Sequence, residues 1–165
     1  MNRLLRRLAA LFALAGSAVA LGCAAMVVWS VTSRALTTKP IQGDVELVQF
    51  AIALAISLSL PWCQWRRANI IVDFFTQKLR PGASRRLDAI GCVFVAVMCG
   101  LLAWRTAVAA VAVMEGGETT MVLSLPTWWV YAALAPGLAL TAVIALVQAW
   151  QHLRLAPMDD EAPAS

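Results

Sequence analysis

The chain has 165 residues, of which 61% are hydrophobic and 13% are charged, and its formal net charge is +4. A soluble domain of this size carries about 25% charged residues, so this composition excludes a single water-soluble globule and favours a membrane protein. The basic residues are scattered at the ends of apolar segments rather than gathered on one face. We therefore predict no nucleic-acid partner.

The first apolar segment begins like a secretory signal, because arginines precede small hydrophobic residues and the sequence LGC ends at Cys23. However, the apolar run continues past Cys23 through AAMVVWSV and becomes long enough to span a bilayer. We therefore predict an uncleaved transmembrane helix over about residues 8–33. A second transmembrane helix is predicted over about residues 45–65.

A short basic and aromatic stretch, RRANIIVDFFTQKLR, follows the second span and predicts an amphipathic helix over residues 69–80. One helical stripe carries its apolar side chains, which are Ile70, Ile71, Phe74, Phe75 and Leu79. The helix is too short to cross about 30 Å of hydrocarbon. We therefore expect it to lie along the cytoplasmic interface, against membrane lipids or a partner, and to end at Pro81 and Gly82.

Two further spans are predicted over about residues 87–114 and 127–152. The predicted fold is an all-α membrane protein with four transmembrane helices plus a cytoplasmic-side amphipathic interfacial helix between the second and third. We expect one domain over residues 1–155 and a flexible acidic tail over residues 156–165. Small residues recur every four positions in the fourth span and predict close packing, with this chain or another: Ala133, Gly137, Thr141, Ala145 and Ala149.

The distribution of basic residues predicts the orientation of the chain in a bacterial inner membrane. Ten of them lie in the N-terminus, the central loop and the C-terminal end: Arg3, Arg6, Arg7, Arg66, Arg67, Lys78, Arg80, Arg85, Arg86 and Arg154. The other two loops carry only Arg34 and Lys39. Because cytoplasmic loops are enriched in lysine and arginine, both termini and the central loop are predicted to be cytoplasmic.

Arg105 is the one charge deep within a predicted span, so we expect it to face protein or water, or to reach the outer headgroups. Glu46 lies at a similar depth and is a candidate partner for it. The sequence has one histidine, four cysteines without a CxxC pair, and no nucleotide-binding loop. We therefore predict no catalytic residue, no cofactor and no metal site, and hence no enzyme.

Four features follow one another along nearly the whole chain. They are Arg34 before the first outer loop, GDVEL at 43–47, RRANIIVDFF at 66–75 and ETTMVLSLPTWWVYAALAPG at 118–137. In this order and on four spans, they resemble the small membrane subunit, the DctQ-type or Q subunit, of tripartite ATP-independent periplasmic (TRAP) transporters. Asn69 stands where that family often has histidine.

The resemblance implies a subunit that braces a large multi-span permease subunit for sodium-coupled uptake of a carboxylate, which a periplasmic binding protein delivers. The positions that match its motifs include Glu46, Asn69, Asp73, Pro126 and Pro136. We expect structural or interface roles for these residues and for Arg34, Arg105 and Gly137. Together with Arg34, the acidic residues Glu115 and Glu118 are candidates for docking the binding protein.

Two other functions are weighed against this resemblance. An independent small multispan exporter acting as a homodimer would need a membrane-centred acidic residue, and the second span offers only Glu46 at its edge. A membrane enzyme or its anchor would need a paired-carboxylate, Ser/His or metal constellation at one interface. Asp73 and Asp88 lie among basic residues and imitate a phosphate-lipid site, but their spacing fits no two-metal centre.

Overall fold

The computed structural model describes residues 3–37, 43–66 and 81–154. Within these ranges the chain forms four α-helices, which are α1 (Arg3–Thr37), α2 (Asp44–Trp65), α3 (Pro81–Gly116) and α4 (Trp128–Arg154). All four are long and apolar enough to cross a membrane, so the predicted four-helix membrane protein is confirmed. The predicted interfacial helix over residues 69–80 and the acidic tail lie outside the described residues.

Two helices begin several residues before their apolar segments. Helix α3 begins at Pro81, which the sequence predicted only as the end of the preceding helix. Proline is well suited to the first turn of a helix, because its missing N–H would have no intrahelical acceptor there. Helix α1 is already helical at Arg3, the first described residue, well before its apolar segment.

The helices pack side by side in the order α1, α2, α4, α3. Helix α1 touches α4 only marginally, and within the described ranges α3 contacts neither α1 nor α2. The arrangement is therefore an open row rather than a closed bundle. We call the end where residues 117–127 join α3 to α4 the hairpin end, and the opposite end, which carries residues 3 and 154, the termini end.

Helix α4 lies at the centre of the packing, between α2 and α3. In the most apolar stretch of α4, 33% of the residues are buried inside the chain, compared with 6% in the corresponding stretch of α1. Its buried residues include four of the small residues spaced at every fourth position, which are Gly137, Thr141, Ala145 and Ala149. The neighbours of this small-residue stripe therefore lie within the same chain, a choice that the sequence pattern left open.

Helices α2 and α4 approach closely at Ser57 and Gly137. The hydroxyl of Ser57 donates a hydrogen bond to the carbonyl of Leu134 at 2.8 Å. A Cβ atom added to Gly137 would lie only 2.5 Å from the carbonyl oxygen of Ser57. Because Pro61 has no N–H to donate to that carbonyl four residues earlier, the oxygen lacks its usual helical partner and lies against Gly137 instead.

A reciprocal pair of glutamines joins the same two helices near the termini end. Gln64 donates from Nε2 to Oε1 of Gln148 at 2.8 Å, and Gln148 donates from Nε2 to the carbonyl of Gln64 at 2.9 Å. Both residues are buried, at 5% and 1% exposure. An amide in an apolar environment is costly unless it is hydrogen-bonded, so this pairing favours one register of α2 on α4.

Candidate functional site

The segment of residues 117–127, which we call the hairpin, is a compact turn with its own hydrogen bonds. Thr119 and Pro126 form an antiparallel bridge. The N–H of Thr120 donates to the carbonyl of Leu125 at 2.9 Å, and the N–H of Ser124 donates to the carbonyl of Thr120 at 3.1 Å. Ser124 adopts a positive φ of 51° to close the turn. The hairpin is therefore a folded element rather than a slack connection.

Glu46 fastens the hairpin to α2. Its carboxylate accepts hydrogen bonds from the backbone N–H groups of Val122 at 3.0 Å and of Leu123 at 3.2 Å. Glu46 lies in the first turn of α2, where the helix dipole also favours a negative charge. Within the described part of the chain, no contact joins Glu46 to Arg105. The structure therefore does not contain the candidate pair, and the Glu46 carboxylate binds the hairpin backbone instead.

Gly43 explains why the chain can turn into α2 beneath the hairpin. It has a φ of +78°, in the left-handed region that glycine adopts without strain. A Cβ atom at this position would also collide with the side chain of Leu123. Two residues of GDVEL therefore hold the hairpin in place. Gly43 leaves room for the Leu123 side chain, and Glu46 accepts hydrogen bonds from backbone N–H groups of the hairpin.

A second polar cluster ties α1 to the start of α2. The guanidinium of Arg34 lies 3.2 Å from Oδ2 of Asp44, and the hydroxyl of Ser30 donates to the same oxygen at 2.8 Å. The Arg34 side chain is 59% exposed, so the ion pair contributes at most about 1 kcal/mol. Ser30 is buried and makes the better-shielded bond. Sequence reasoning missed Ser30 and Asp44, although opposite charges flanking a short connection were a usable signal.

The predicted docking residues Glu115 and Glu118 are both exposed at the hairpin end. Glu115 lies in the last turn of α3, and Glu118 lies in the hairpin. The backbone carbonyl of Glu118 accepts from the N–H and the hydroxyl of Thr127 at 3.2 Å and 3.0 Å. The backbone beside Glu118 is thus fixed while its carboxylate remains accessible, and Glu46, Pro126 and Arg34 lie at the same end.

The other predicted site residues are not part of this cluster. Arg105 is exposed on α3 and lines a groove with Tyr131 of α4. Pro136 and Gly137 lie within α4, where Gly137 forms the crossing with α2. Asn69 and Asp73 lie outside the described residues. The structure therefore divides the predicted set into a hairpin-end group, a helix crossing and an isolated arginine.

Four apolar helices in an open row, fastened by polar contacts at both ends, define a multi-pass membrane protein. The model of the family described as tripartite ATP-independent periplasmic transporters, DctQ component, matches residues 23–155, well over half of the chain. The chain therefore belongs to this family, which comprises small permease subunits of TRAP transporters and not enzymes. The resemblance seen in the sequence is confirmed. No curated protein and no solved structure matches the chain.

Replacing Glu46 with alanine is expected to loosen the hairpin without unfolding the helices, because both acceptors of the Val122 and Leu123 N–H groups are lost. Hydrogen exchange measured by mass spectrometry on residues 117–127 should become several-fold faster, while exchange in α4 stays unchanged. Glu115→Ala is the matched control, since this exposed carboxylate lies nearby in α3. Equal hairpin exchange in the two variants would contradict the role given to Glu46.

Proposed function

We propose that this DctQ component braces the large membrane subunit of its transporter during sodium-coupled uptake of a carboxylate, which a periplasmic binding protein delivers. We propose further that it lies in the bacterial inner membrane with both termini in the cytoplasm, so that the hairpin end faces the periplasm. Membership of the family supports a role beside the other components of such a transporter. The bracing role rests on the shape of the helical row.

The observation that carries the bracing role is the one-helix-thick row. A row without a closed interior leaves apolar side chains on both of its faces. On α3 alone, the side chains that are more than half exposed include Ile90, Phe94, Val97, Leu101 and Trp104. Such a row is suited to pack against a larger membrane body, while a solute pathway needs polar groups enclosed between helices.

The internal contacts favour a rigid brace. Helices α2 and α4 are joined at three levels, by Glu46 through the hairpin, by Ser57 on Gly137, and by Gln64 on Gln148. A wall that supports a moving neighbour must keep its own helices in register, and polar or close contacts at separated heights prevent sliding. No acidic residue lies in the middle of a described span, which favours the subunit over an independent exporter.

Charge at the two ends supports the proposed orientation. In the described residues the termini end carries the exposed residues Arg3, Arg6, Arg7 and Arg66. The hairpin end carries Glu115 and Glu118, and its Arg34 is paired with Asp44. An excess of arginine at the termini end is the pattern of a cytoplasmic side.

Reconstitution tests the proposed role. Vesicles containing this chain and the large membrane component, with the binding protein outside and an inward sodium gradient, are expected to accumulate a labelled C4-dicarboxylate or sugar acid. Vesicles with this chain alone are expected to accumulate none. Transport against a gradient by the chain alone would contradict the proposal and favour the exporter, and full uptake by the large component alone would contradict the bracing role.

Reversing the charge of Glu118 is expected to weaken docking of the binding protein, because an accessible carboxylate on a fixed hairpin favours a basic partner surface. For Glu118→Lys we expect a slower association rate at low ionic strength, with the difference shrinking as salt is added. Asp88→Lys makes the same change in charge near the termini end and serves as the control. If both variants bind with the wild-type rate, or slow equally, Glu118 is not a docking residue.

A further inference from the structure

Arg105 lies at one end of a side groove between α3 and α4. The groove has a volume of about 460 Å³ and is lined by Arg105, Thr106, Val108, Ala109, Ala112 and Tyr131. Four of these residues follow one another along α3 at helical spacing, from Arg105 toward the hairpin end. Three of these residues, Val108, Ala109 and Ala112, have short apolar side chains, and Tyr131 lines the groove from α4. The groove is open along one side rather than enclosed.

The polar groups in this groove are suited to an anion. No hydrogen bond or ion pair reaches the Arg105 guanidinium from any described residue. The hydroxyl proton of Thr106 is already used, because it donates to the carbonyl of Leu102 at 2.7 Å. The guanidinium and the Tyr131 hydroxyl therefore remain as donors, and the lining contains no carboxylate that would hold a cation.

The position of the groove relates that anion to the membrane. Trp128 and Trp129 begin α4 at the hairpin end, and Tyr131 lies within the first turn of the same helix. Tryptophan and tyrosine prefer the headgroup layer of a bilayer. Arg105 lies about 16 Å along α3 from Gly116, so its charge is beneath that layer and gains from a phosphate that it can reach.

We propose that this groove binds the headgroup of a phospholipid, whose phosphate lies over Ala109 and Ala112, on the hairpin side of Arg105, and accepts hydrogen bonds from Arg105 and Tyr131. Its acyl chains extend from there toward the middle of the bilayer. An anionic headgroup is preferred over a zwitterionic one. The ammonium of a zwitterionic headgroup would lie near the Arg105 charge, and the lining contains no carboxylate to pair with it. The bound lipid would neutralise the one arginine deep in a span. This inference does not depend on the proposed bracing role.

Native mass spectrometry of the purified full chain, titrated with phosphatidylglycerol or phosphatidylethanolamine of equal chain length, tests the site. Wild type is expected to retain more phosphatidylglycerol. Arg105→Gln is expected to lower this retention about tenfold, since a charge-assisted hydrogen bond is lost. Tyr131→Phe should lower it by less, and Arg105→Lys should retain more than Arg105→Gln. Thermal melting checks that each variant is folded.

Arg34→Gln is the matched control, because it removes one positive charge at the same end from a side chain that is paired with Asp44. It is expected to retain phosphatidylglycerol like the wild type. Equal retention of the two lipids, wild-type retention by Arg105→Gln, or an equal loss in Arg34→Gln would overturn the proposal. If Arg105→Gln retains lipid normally but loses the large membrane component on co-purification, Arg105 pairs with a carboxylate of that protein instead.

Discussion

Replacing Gly137 with alanine is expected to destabilise the protein, although alanine is the better helix former. The added Cβ would lie 2.5 Å from both the carbonyl oxygen and the hydroxyl oxygen of Ser57. The hydroxyl can rotate away, but the carbonyl can move only if α2 moves. Overpacking of this kind costs about 1–3 kcal/mol, which outweighs the gain of about 1 kcal/mol in helix propensity. The midpoint of thermal unfolding in detergent should fall.

Gly100→Ala is the matched control for this substitution. It makes the same chemical change in α3, but there the new Cβ would lie 4.0 Å from that of Ala142, an ordinary contact. We expect Gly100→Ala to leave the melting temperature unchanged or to raise it slightly. Equal melting temperatures for the two alanine variants would show that α2 and α4 are not in close contact at Ser57.

Replacing Gln148 with leucine is expected to separate the ends of α2 and α4 that lie near the termini. The side chain is 1% exposed, and the substitution removes both the acceptor of the Gln64 amide and the donor to the Gln64 carbonyl. Leucine has a similar volume, so the loss is mainly one of hydrogen bonding. Interhelical hydrogen bonds in membranes contribute about 0.6–1.7 kcal/mol, and we expect a cost of about 1–2 kcal/mol for the pair.

A double-mutant cycle separates the interaction between the two glutamines from the cost of placing leucine at either position. The variant with leucine at both Gln64 and Gln148 is expected to cost less than the sum of the single changes, because neither side-chain amide is left without its partner, and the carbonyl of residue 64 loses its donor only once. Gln49→Leu, at an exposed position near the start of α2, should be neutral. Additive costs in the cycle would mean that the two amides do not stabilise each other.

These two contacts determine the shape that the proposed role needs. An open row has no second layer to hold its helices in place, so α2 and α4 depend on their shared contacts. The Ser57–Gly137 crossing sets how closely the two helices approach, and the glutamine pair sets how they align along their length. A variant that loosens either contact is therefore expected to weaken association with the large membrane component as well as thermal stability.

The sequence was most informative where a single helix suffices to explain a pattern. Apolar length alone predicts the four spans, because a helix that crosses hydrocarbon needs a run of apolar residues whatever its neighbours are. The motif GDVEL marked the start of α2 and drew attention to Glu46. It did not indicate that the partner of Glu46 is the backbone of a hairpin about 76 residues later in the chain.

Long-range polar partners were the main omission. Gln64 and Gln148 are both polar residues at the same predicted end of neighbouring spans, and that coincidence was a usable signal. Asp44 lies in the same motif, two residues before Glu46, but only the structure shows that its partners are Arg34 and Ser30. Such pairings depend on which helices are adjacent. The sequence does not reveal this, because apolar residues are spread nearly evenly around helices that face lipid on most sides.

By itself, then, the sequence determined that this chain is a four-span membrane protein of the DctQ family, since span length, charge distribution and motif order are properties of the chain read locally. Only the tertiary structure decided that the helices form an open row, that the small-residue stripe of α4 meets α2 at Gly137, and that Arg105 lies in a groove with Tyr131. The physical reason is that hydrophobicity drives helices into the bilayer but does not choose their neighbours, which close packing and a few hydrogen bonds select.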